Sequence, residues 1–488
     1  MTSTAGAAGT APAPAPPAAA DQAVAMITTR LVMAGLGWVG TILVARTLTE
    51  RAFGQFVFTF ALLGMMSVVT DLGVGRVVLD QLLPGAPGRR EATGSYLGLR
   101  IVMGLLGHAL AVAYVVVTRQ DGAVVLATVV GGLVIDLATP AHALQALLQA
   151  EDRLVSYALI RLVGQGAQLA IVVAVVVAGG HLVWFTIPFV VQEAVSLALV
   201  VRRARTLERL APTVDLGRWR VLLREAVPLS AANALGVVVY RVDTLLLAAL
   251  VGVTSVATYG IAYKFVDLAH FVPQAITMAV LAGLVRTVDG DPDGFASSLV
   301  EAGRLLALLA VVLVVGVVAI ARPMITTFYG ERFAAAAEPL TVLSFAEGAA
   351  FVSNAAIAAL VATGRYRRYL SAMALAFGAN VALNLVLIPR FDQVGAAVAT
   401  LLSEALVLAV VTVAVRRVPG GRAATLGALA RSVPALVVGL AVAIALRGRV
   451  PWPVGGAASV AAVVAVTVRV PGAMPVALRS LAGVRRAR

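Results

Sequence analysis

Apolar runs of about 20 residues recur along almost the whole of this 488-residue chain, and that pattern restricts its fold more than any single motif. Crossing roughly 30 Å of hydrocarbon takes about 20 residues of helix. In lipid each spanning segment must also satisfy its own backbone hydrogen bonds, which a helix does and an isolated strand does not. The chain is 60% hydrophobic and only 13% charged, with a mean hydropathy of +0.97, which leaves too little polar surface to cover a soluble body of this size. The short alternating segments of a membrane β-barrel are absent. The pattern therefore predicts an all-α polytopic membrane protein.

Fourteen spans are expected, near 23–46, 52–73, 93–118, 122–149, 155–178, 182–202, 225–250, 254–284, 298–321, 335–362, 368–388, 394–415, 424–446 and 452–470. The breaks fall on punctuation such as Pro84-Gly85, Gly179-Gly180, Asp289 to Gly294, Pro389, Pro419-Gly420 and Pro451. Arginines alternate with this topology. One side carries Arg89, Arg90, Arg153, Arg202, Arg203, Arg205, Arg286, Arg365, Arg367, Arg368, Arg416, Arg417, Arg485, Arg486 and Arg488, and the other little beyond Arg51, Arg119, Arg332, Arg390, Arg447 and Arg449. The positive-inside rule then puts both termini in the cytoplasm of a cell whose cytoplasmic membrane holds the protein. It also accounts for the formal charge of +14 without nucleic acid, because the basic residues sit in short clusters between apolar runs and not on one soluble face. The Ala/Pro-rich start lacks the basic region of a signal peptide, so the first helix is expected to stay as an anchor. There is no cysteine, hence no disulfide or thiolate metal site.

An internal repeat divides the chain. Residues 148–170 align without gaps on residues 360–382, matching Arg153 to Arg365, Tyr157 to Tyr369 and Gly166 to Gly378, and Glu193-Ala194 falls one residue out of step with Glu404-Ala405. Six spans separate the copies, an even number, so the copies share an orientation, with a substrate site between lobes near the midplane. The expected domains are a disordered tail at 1–22, a six-helix lobe at 23–202, a basic cytoplasmic linker and hinge at 203–224, and a second six-helix lobe at 225–418. Two additional helices at 419–471 and a basic tail at 472–488 complete the chain.

The chemistry is expected on spans seven and eight, whose charges lie far from either helix end. An ionisable group at membrane depth costs a few kcal/mol or more and is usually retained to face a cavity or a partner. Lys264 and Asp267 are i,i+3 and share a face, which His270 extends; Arg241 and Asp243 are i,i+2 and diverge. Two arrangements follow: a cationic cavity wall of Arg241 and Lys264, with Asp243 and Asp267, that holds a phosphate, or an interhelical network pairing Arg241 with Asp267 or Asp243 with Lys264. Arg30, two turns into the first helix, either snorkels or joins the cavity; Arg100 and Arg161 are expected to snorkel. Glu193, Glu347 and Glu404, together with Asp136, are the intramembrane carboxylates able to carry a coupling proton or sodium ion, although the pair Glu193 and Glu404 fits a shared structural role better. Asp71 is expected at the membrane interface. Gly35-Leu36-Gly37-Trp38-Val39-Gly40 matches a nucleotide fingerprint but sits inside a span, where small residues serve helix packing. Asp289 to Gly294 begins like a calcium loop, yet position twelve is Val300, so a solvated turn with Asp293 near a helix cap is expected. The four histidines have no metal spacing.

The segment LGWVGTILVARTLTERAFGQFVFTFALLGMMSVVTDLG resembles the opening helix pair of polysaccharide flippases, members of the multidrug/oligosaccharidyl-lipid/polysaccharide exporter superfamily. Arg241-x-Asp243 followed by Ala257-Thr258-Tyr259 is similar too. So is ATGRYRRYLSAMALAFGANVALNLVLIPRFDQVGAAVATLLSEA, with its Asn380, Asn384, Ile388-Pro389, Gly395-Ala396-Ala397 and Ser403-Glu404. The resemblance covers about residues 23–418. It departs at Asp392-Gln393-Val394, a shorter stretch where members often carry a glycine. The resemblance implies two lobes, an alternating-access cavity and transfer of an isoprenoid-linked oligosaccharide to the outer leaflet, with no cofactor. Expected partners are that lipid-linked saccharide, the bilayer, a coupling ion (H+ or Na+) and other polysaccharide-assembly proteins; Asn380, Asn384 and Tyr259 are expected to bond the sugar. Lipid II is another possible cargo. The absence of GxxxxGK[ST] and of a soluble domain excludes ATP hydrolysis. Three other classes compete. A cation-coupled multidrug exporter predicts a cavity of acids and aromatics, a membrane polymerase or glycosyltransferase needs a large outer loop, and a scaffold leaves the buried charges without a purpose.

Overall fold

The computed structural model describes the backbone of residues 17–288 and 290–479, with side chains over that range except at 17–28, 30, 31, 68, 69, 154, 228–240, 477 and 479. Its helices, in chain order, are α1 (Pro17–Thr47), α2 (Glu50–Asp71), the short α3 (Val74–Val78), α4 (Arg89–Val117), α5 (Gly122–Ala150), α6 (Leu154–Val177), α7 (Ile187–Ala204), α8 (Leu216–Leu250), α9 (Val253–Thr287), α10 (Pro292–Tyr329), α11 (Ala337–Ala362), α12 (Tyr366–Val415), α13 (Ala428–Leu446), α14 (Trp452–Arg469) and α15 (Val476–Arg479). Among the described residues ten helices are long and apolar enough to cross a membrane, so the chain is an all-α, multi-pass membrane protein. Most of the expected tail, residues 1–16, lies outside the described residues; residues 17–22, expected within it, already belong to α1.

Local chemistry sets the ends. Asp215 caps α8, its carboxylate accepting from Arg218 N at 2.9 Å, and Asp291 caps α10 by accepting from Gly294 N at 2.8 Å. The capping residue of that turn is thus Asp291, with Pro292 at the first helical position, where a missing N–H costs nothing, and Asp293 next to the cap in the first turn as expected. Gly252, at φ 123°, closes the tight α8–α9 turn.

The α5–α6 and α11–α12 corners are built alike. Asp152 (φ 54°) and Gly364 (φ 66°) are left-handed, and Arg153 N and Arg365 N each donate 2.8 Å back to Leu148 O and Leu360 O. Every one of these positions is separated from its counterpart by the offset of the sequence repeat.

The long α12 is a hairpin. Its helical geometry fails at Phe391 (φ −137°, ψ 15°) and Asp392 (φ 48°, ψ −130°), just after Pro389. Beyond that point the chain runs back on itself: a Cβ on Gly395 would lie 2.3 Å from Leu387 O, and Arg368 Nη1 donates to Ala414 O at 3.2 Å. The left-handed backbone at Asp392 is where a glycine relieves strain. Asp392→Gly is expected to stabilise the protein by about 1 kcal/mol, read as a higher melting temperature in detergent; an unchanged or lower value would show that the carboxylate compensates the strain.

The segment expected as a free linker is docked. Thr213 N donates to Gly94 O at 3.0 Å, Trp219 Nε1 donates to Ser95 O at 2.9 Å, and Trp219, Leu222 and Ala226 pack with Val78, Tyr96 and Leu147. The first turns of α8 therefore belong to the first-half helices, and α8 carries the crossing to the second half as one helix. Arg100 does not snorkel: it is 1% exposed and donates to Thr70 O at 2.9 Å, Thr139 O at 3.3 Å and the Asp71 carboxylate at 2.7 Å. Three acceptors at the loosened end of α2 and along α5 satisfy the guanidinium better than a stretched path to the interface.

Candidate functional site

Six helices, α1, α2, α6, α7, α8 and α9, enclose a cavity of about 450 Å³ between the two halves. Its charged lining is Arg241 from α8, Lys264 and Asp267 from α9, and Glu193 from α7. Gln165, Gln168 and Gln192 add neutral polar groups, and Trp38, Phe56, Phe60 and Phe189 an aromatic wall. Helical periodicity sorts the α8 and α9 residues. Arg241 and Thr244, three apart, face the cavity, whereas Asp243 is 1% exposed behind it. Lys264, Asp267 and Phe271 form the stripe on α9. His270, expected on that stripe, is turned about 120° away from Lys264 at six residues' spacing, and its Nδ1 lies 2.9 Å from Glu347 Oε1 on α11.

The carboxylates divide by partner. Glu193 takes Arg161 Nη1 at 2.7 and 2.6 Å, so Arg161, like Arg100, does not snorkel. Asp267 lies 3.9 Å from Arg241, a loose pair between side chains about one-third exposed. Asp243 accepts from Tyr259 Oη at 2.5 Å and from Thr244 N at 2.7 Å, and no pair with Lys264 forms. Among the described residues Lys264 makes no hydrogen bond or ion pair; it lines the cavity, and Asp267, one turn along α9, is the acid that interacts with it. Arg30 lies outside the residues whose side chains are described.

Glu347 and Glu404 are elsewhere, around a water-sized space of about 20 Å³ shared with Tyr263, Asn380, Thr400 and Ser403. Asn380, Asn384 and Tyr259, expected to bond a sugar, do not line the central cavity: Asn384 Nδ2 donates to Asn380 Oδ1 at 2.9 Å and Tyr259 is committed to Asp243, all three fully buried. The groups placed to meet a polyol are instead the three glutamines, with Gln165 donating to Gln168 one turn along α6. Their signal was available as amides inside apolar runs. Asp136 meets His108 Nδ1 at 2.7 Å, away from the cavity. The glycines of the Gly35–Gly40 run are not tight packing points: Gly37 and Gly40 line the cavity, with Cβ contacts at ordinary distances of 3.8 and 3.9 Å.

The Arg161–Glu193 pair is mostly buried, at 21% and 8% exposure. Removing one partner of such a pair strands a charge and costs about 3–5 kcal/mol. Arg161→Ala is expected to lower the melting temperature steeply, and adding Glu193→Gln to recover part of the loss. Equal melting of Arg161→Ala and wild type would show that water reaches the carboxylate.

One end of the cavity is closed. Arg46, at the end of α1, donates to Phe328 O at 2.7 Å and Thr327 O at 2.5 Å in α10, and Arg332 donates back to Ala45 O. Trp38 meets Phe328 at a tilt and Phe265 edge-on, with ring centroids at 4.8 and 5.7 Å, and Phe53 packs on Phe333 at 5.7 Å. Here α2 touches α9 so closely that a Cβ on Gly54 would lie 1.7 Å from Val253 O. Toward the other end of α9, Leu268, Phe271, Val272 and Met278 are exposed.

Solved structures of low identity share this architecture. A lipid II flippase, MurJ, in an inward closed conformation, superposes with a TM-score of 0.74 at 12% identity, covering 94% of this chain and 100% of that one. An inward-facing multidrug resistance transporter of the MATE family gives 0.66 at 11% identity, covering 82% and 99%. A transporter of the same superfamily from Pyrococcus furiosus, described as having a binding pocket of reverse polarity, gives 0.57 at 12% identity, covering 83% and 96%. No curated protein sequence matches the chain. The model of one sequence family does, over residues 20–282, which include every helix of the cavity: the chain belongs to the polysaccharide biosynthesis protein family.

Proposed function

We propose that the protein is a flippase that carries an isoprenoid-linked oligosaccharide from the inner to the outer leaflet of a bacterial cytoplasmic membrane by alternating access. The observation that carries this reading is the placement of Arg241 and Lys264 in the cavity between the halves. In that cavity Arg161 is paired with Glu193, while Arg241 and Lys264 share the single acid Asp267, which leaves a surplus of positive charge to attract an anion. Arginine meets phosphate through two parallel N–H donors and lysine as a point charge. In the first step the sugar-phosphate head enters from the cytoplasmic leaflet while its tail stays in lipid. Next, Arg241 exchanges its long contact with Asp267 for the phosphate, Lys264 adds the second charge, and the glutamines bond the sugar. Finally the contacts among Arg46, Arg332, α2 and α10 release, and the head leaves outward.

This reading includes fourteen spans in two six-helix lobes plus α13 and α14, counting the arms of α12 separately, with both termini cytoplasmic. The identical corners before α6 and α12 support the parallel repeat. The domain limits proposed are those of the sequence, except that the first lobe begins with α1 at Pro17 and the linker docks on that lobe. For a coupling ion we favour Glu347 and Glu404 beside His270, because the Glu193 carboxylate is already occupied by Arg161. Arg30, in the cavity-forming α1, is retained as a phosphate ligand, and polysaccharide-assembly proteins as partners.

The aromatic wall also suits a multidrug exporter, and one assay separates the two. In inverted vesicles, lipid-linked oligosaccharide reaching a lumenal sugar-binding probe is expected only when the protein is present. Gene-dependent uptake of a cationic dye without such exposure would move the protein to the exporter branch.

A further inference from the structure

A second, separate cavity of about 330 Å³ lies where the ends of α10 and α13 meet the start of α14, on the membrane face where α1 and α10 close the central cavity. It shares no lining residue with the central one. Its charged lining is Arg322 and Arg447, with no acid, and Trp452 forms a wall between Leu446 and Val450. The two guanidiniums are weakly engaged: Arg322 reaches Glu331 only at 3.3 Å, between side chains 61% and 74% exposed, and Arg447 has no side-chain partner among the described residues. Arg449, two residues on, is different, since it donates back to Ala445 O in the last turn of α13 and does not line the space.

Below the cavity α13 and α14 present Val433, Val437, Ile444, Val454 and Val464, all exposed. Cations at the level of the headgroups above an apolar wall, with a tryptophan at their boundary, match the chemistry of one kind of molecule. Water alone would fill the space, but two guanidiniums in one pocket, of which only Arg322 has an acid within reach and that one exposed, favour an anion. We infer that the α10–α13–α14 pocket is a binding site for an anionic phospholipid of the outer leaflet, its phosphodiester held between Arg322 and Arg447 and its acyl chains lying along α13 and α14. This gives the two helices outside the repeat a role of their own. The inference does not depend on the cargo of the central cavity.

The test is native mass spectrometry of the full chain released from nanodiscs containing phosphatidylglycerol and phosphatidylcholine in equal amounts. The wild type is expected to retain phosphatidylglycerol preferentially, and Arg322→Ala with Arg447→Ala to retain at least tenfold less. Arg449→Ala, at the same interface, should retain as much as wild type. Arg322→Lys with Arg447→Lys is expected to keep part of the preference. Equal retention by the double alanine variant and wild type would overturn the site, as would an equal loss in Arg449→Ala, which marks a general charge effect. Displacement of the lipid by millimolar inorganic phosphate would assign the pocket to a free anion and overturn the lipid.

Discussion

Arg241→Ala is expected to reduce transfer of lipid-linked oligosaccharide about 10- to 100-fold while the protein stays folded in the membrane. A hydrogen bond to a charged group contributes about 1.5–3 kcal/mol, and a factor of ten corresponds to about 1.4 kcal/mol, so the loss of one guanidinium–phosphate contact sets that range. Stability should change little, because the contact with Asp267 is long and partly exposed, and such pairs contribute about 0–1 kcal/mol. Lys264→Ala should have a similar effect on transport, since it lines the same cavity and shares Asp267 with Arg241. Arg241→Lys should recover less than half of the activity, because the planar fork is lost while the charge stays. Vesicle exposure of the sugar, compared at equal amounts of folded protein, decides. Normal transfer by both alanine variants would remove the cationic-cavity mechanism, and collapse of the folded protein would assign the two residues to an interhelical network.

Gly54→Ala is expected to prevent closure of the end of the cavity where Arg46 and Arg332 bridge α1 and α10, the end proposed above to face outward. The obstacle is a backbone carbonyl, Val253 O, at 1.7 Å from the added carbon, with Val253 C at 2.6 Å, so no side-chain rotation relieves it and α2 must move away from α9. Where lipid tails are as apolar as the helices, close approach of small residues is a main source of helix association, so this contact carries more weight than a similar one in a soluble core. The absence of native cysteine makes the state readable: a single Thr41→Cys lines the cavity behind the closure. In the Gly54→Ala background this cysteine should react at least tenfold faster with an impermeant reagent added from outside, and transfer should fall with it. Unchanged labelling in intact protein would show that closure does not depend on the α2–α9 contact.

Length, hydropathy and charge alternation were enough to assign the helical membrane class and to locate the element boundaries near Pro389, Gly252 and Gly179, since these depend on backbone chemistry and on the thickness of a bilayer. The offset between Arg153 and Arg365 was legible because it reflects repeated turn geometry. Arg241, Lys264 and Asp267 could be chosen because ionisable groups in apolar runs stand out by their cost. Of their contacts, the pairing of Arg241 with Asp267 was among the two arrangements open at the level of sequence, and the structure holds it at 3.9 Å. Arg100 and Arg161 have the same sequence context as a snorkelling arginine, and only the positions of Thr139 O and Glu193 on other helices decide otherwise. Sequence spacing puts Asp243 and His270 with the cavity residues, whereas the rotation of α8 against α9 gives Asp243 to Tyr259 and that of α9 against α11 gives His270 to Glu347. The sequence by itself thus determined which segments are apolar helices and which of them carry ionisable groups. The tertiary structure alone decided which charges are neutralised and which face the cavity, because that depends on helix rotation and spacing between segments up to hundreds of residues apart, to which local periodicity is blind.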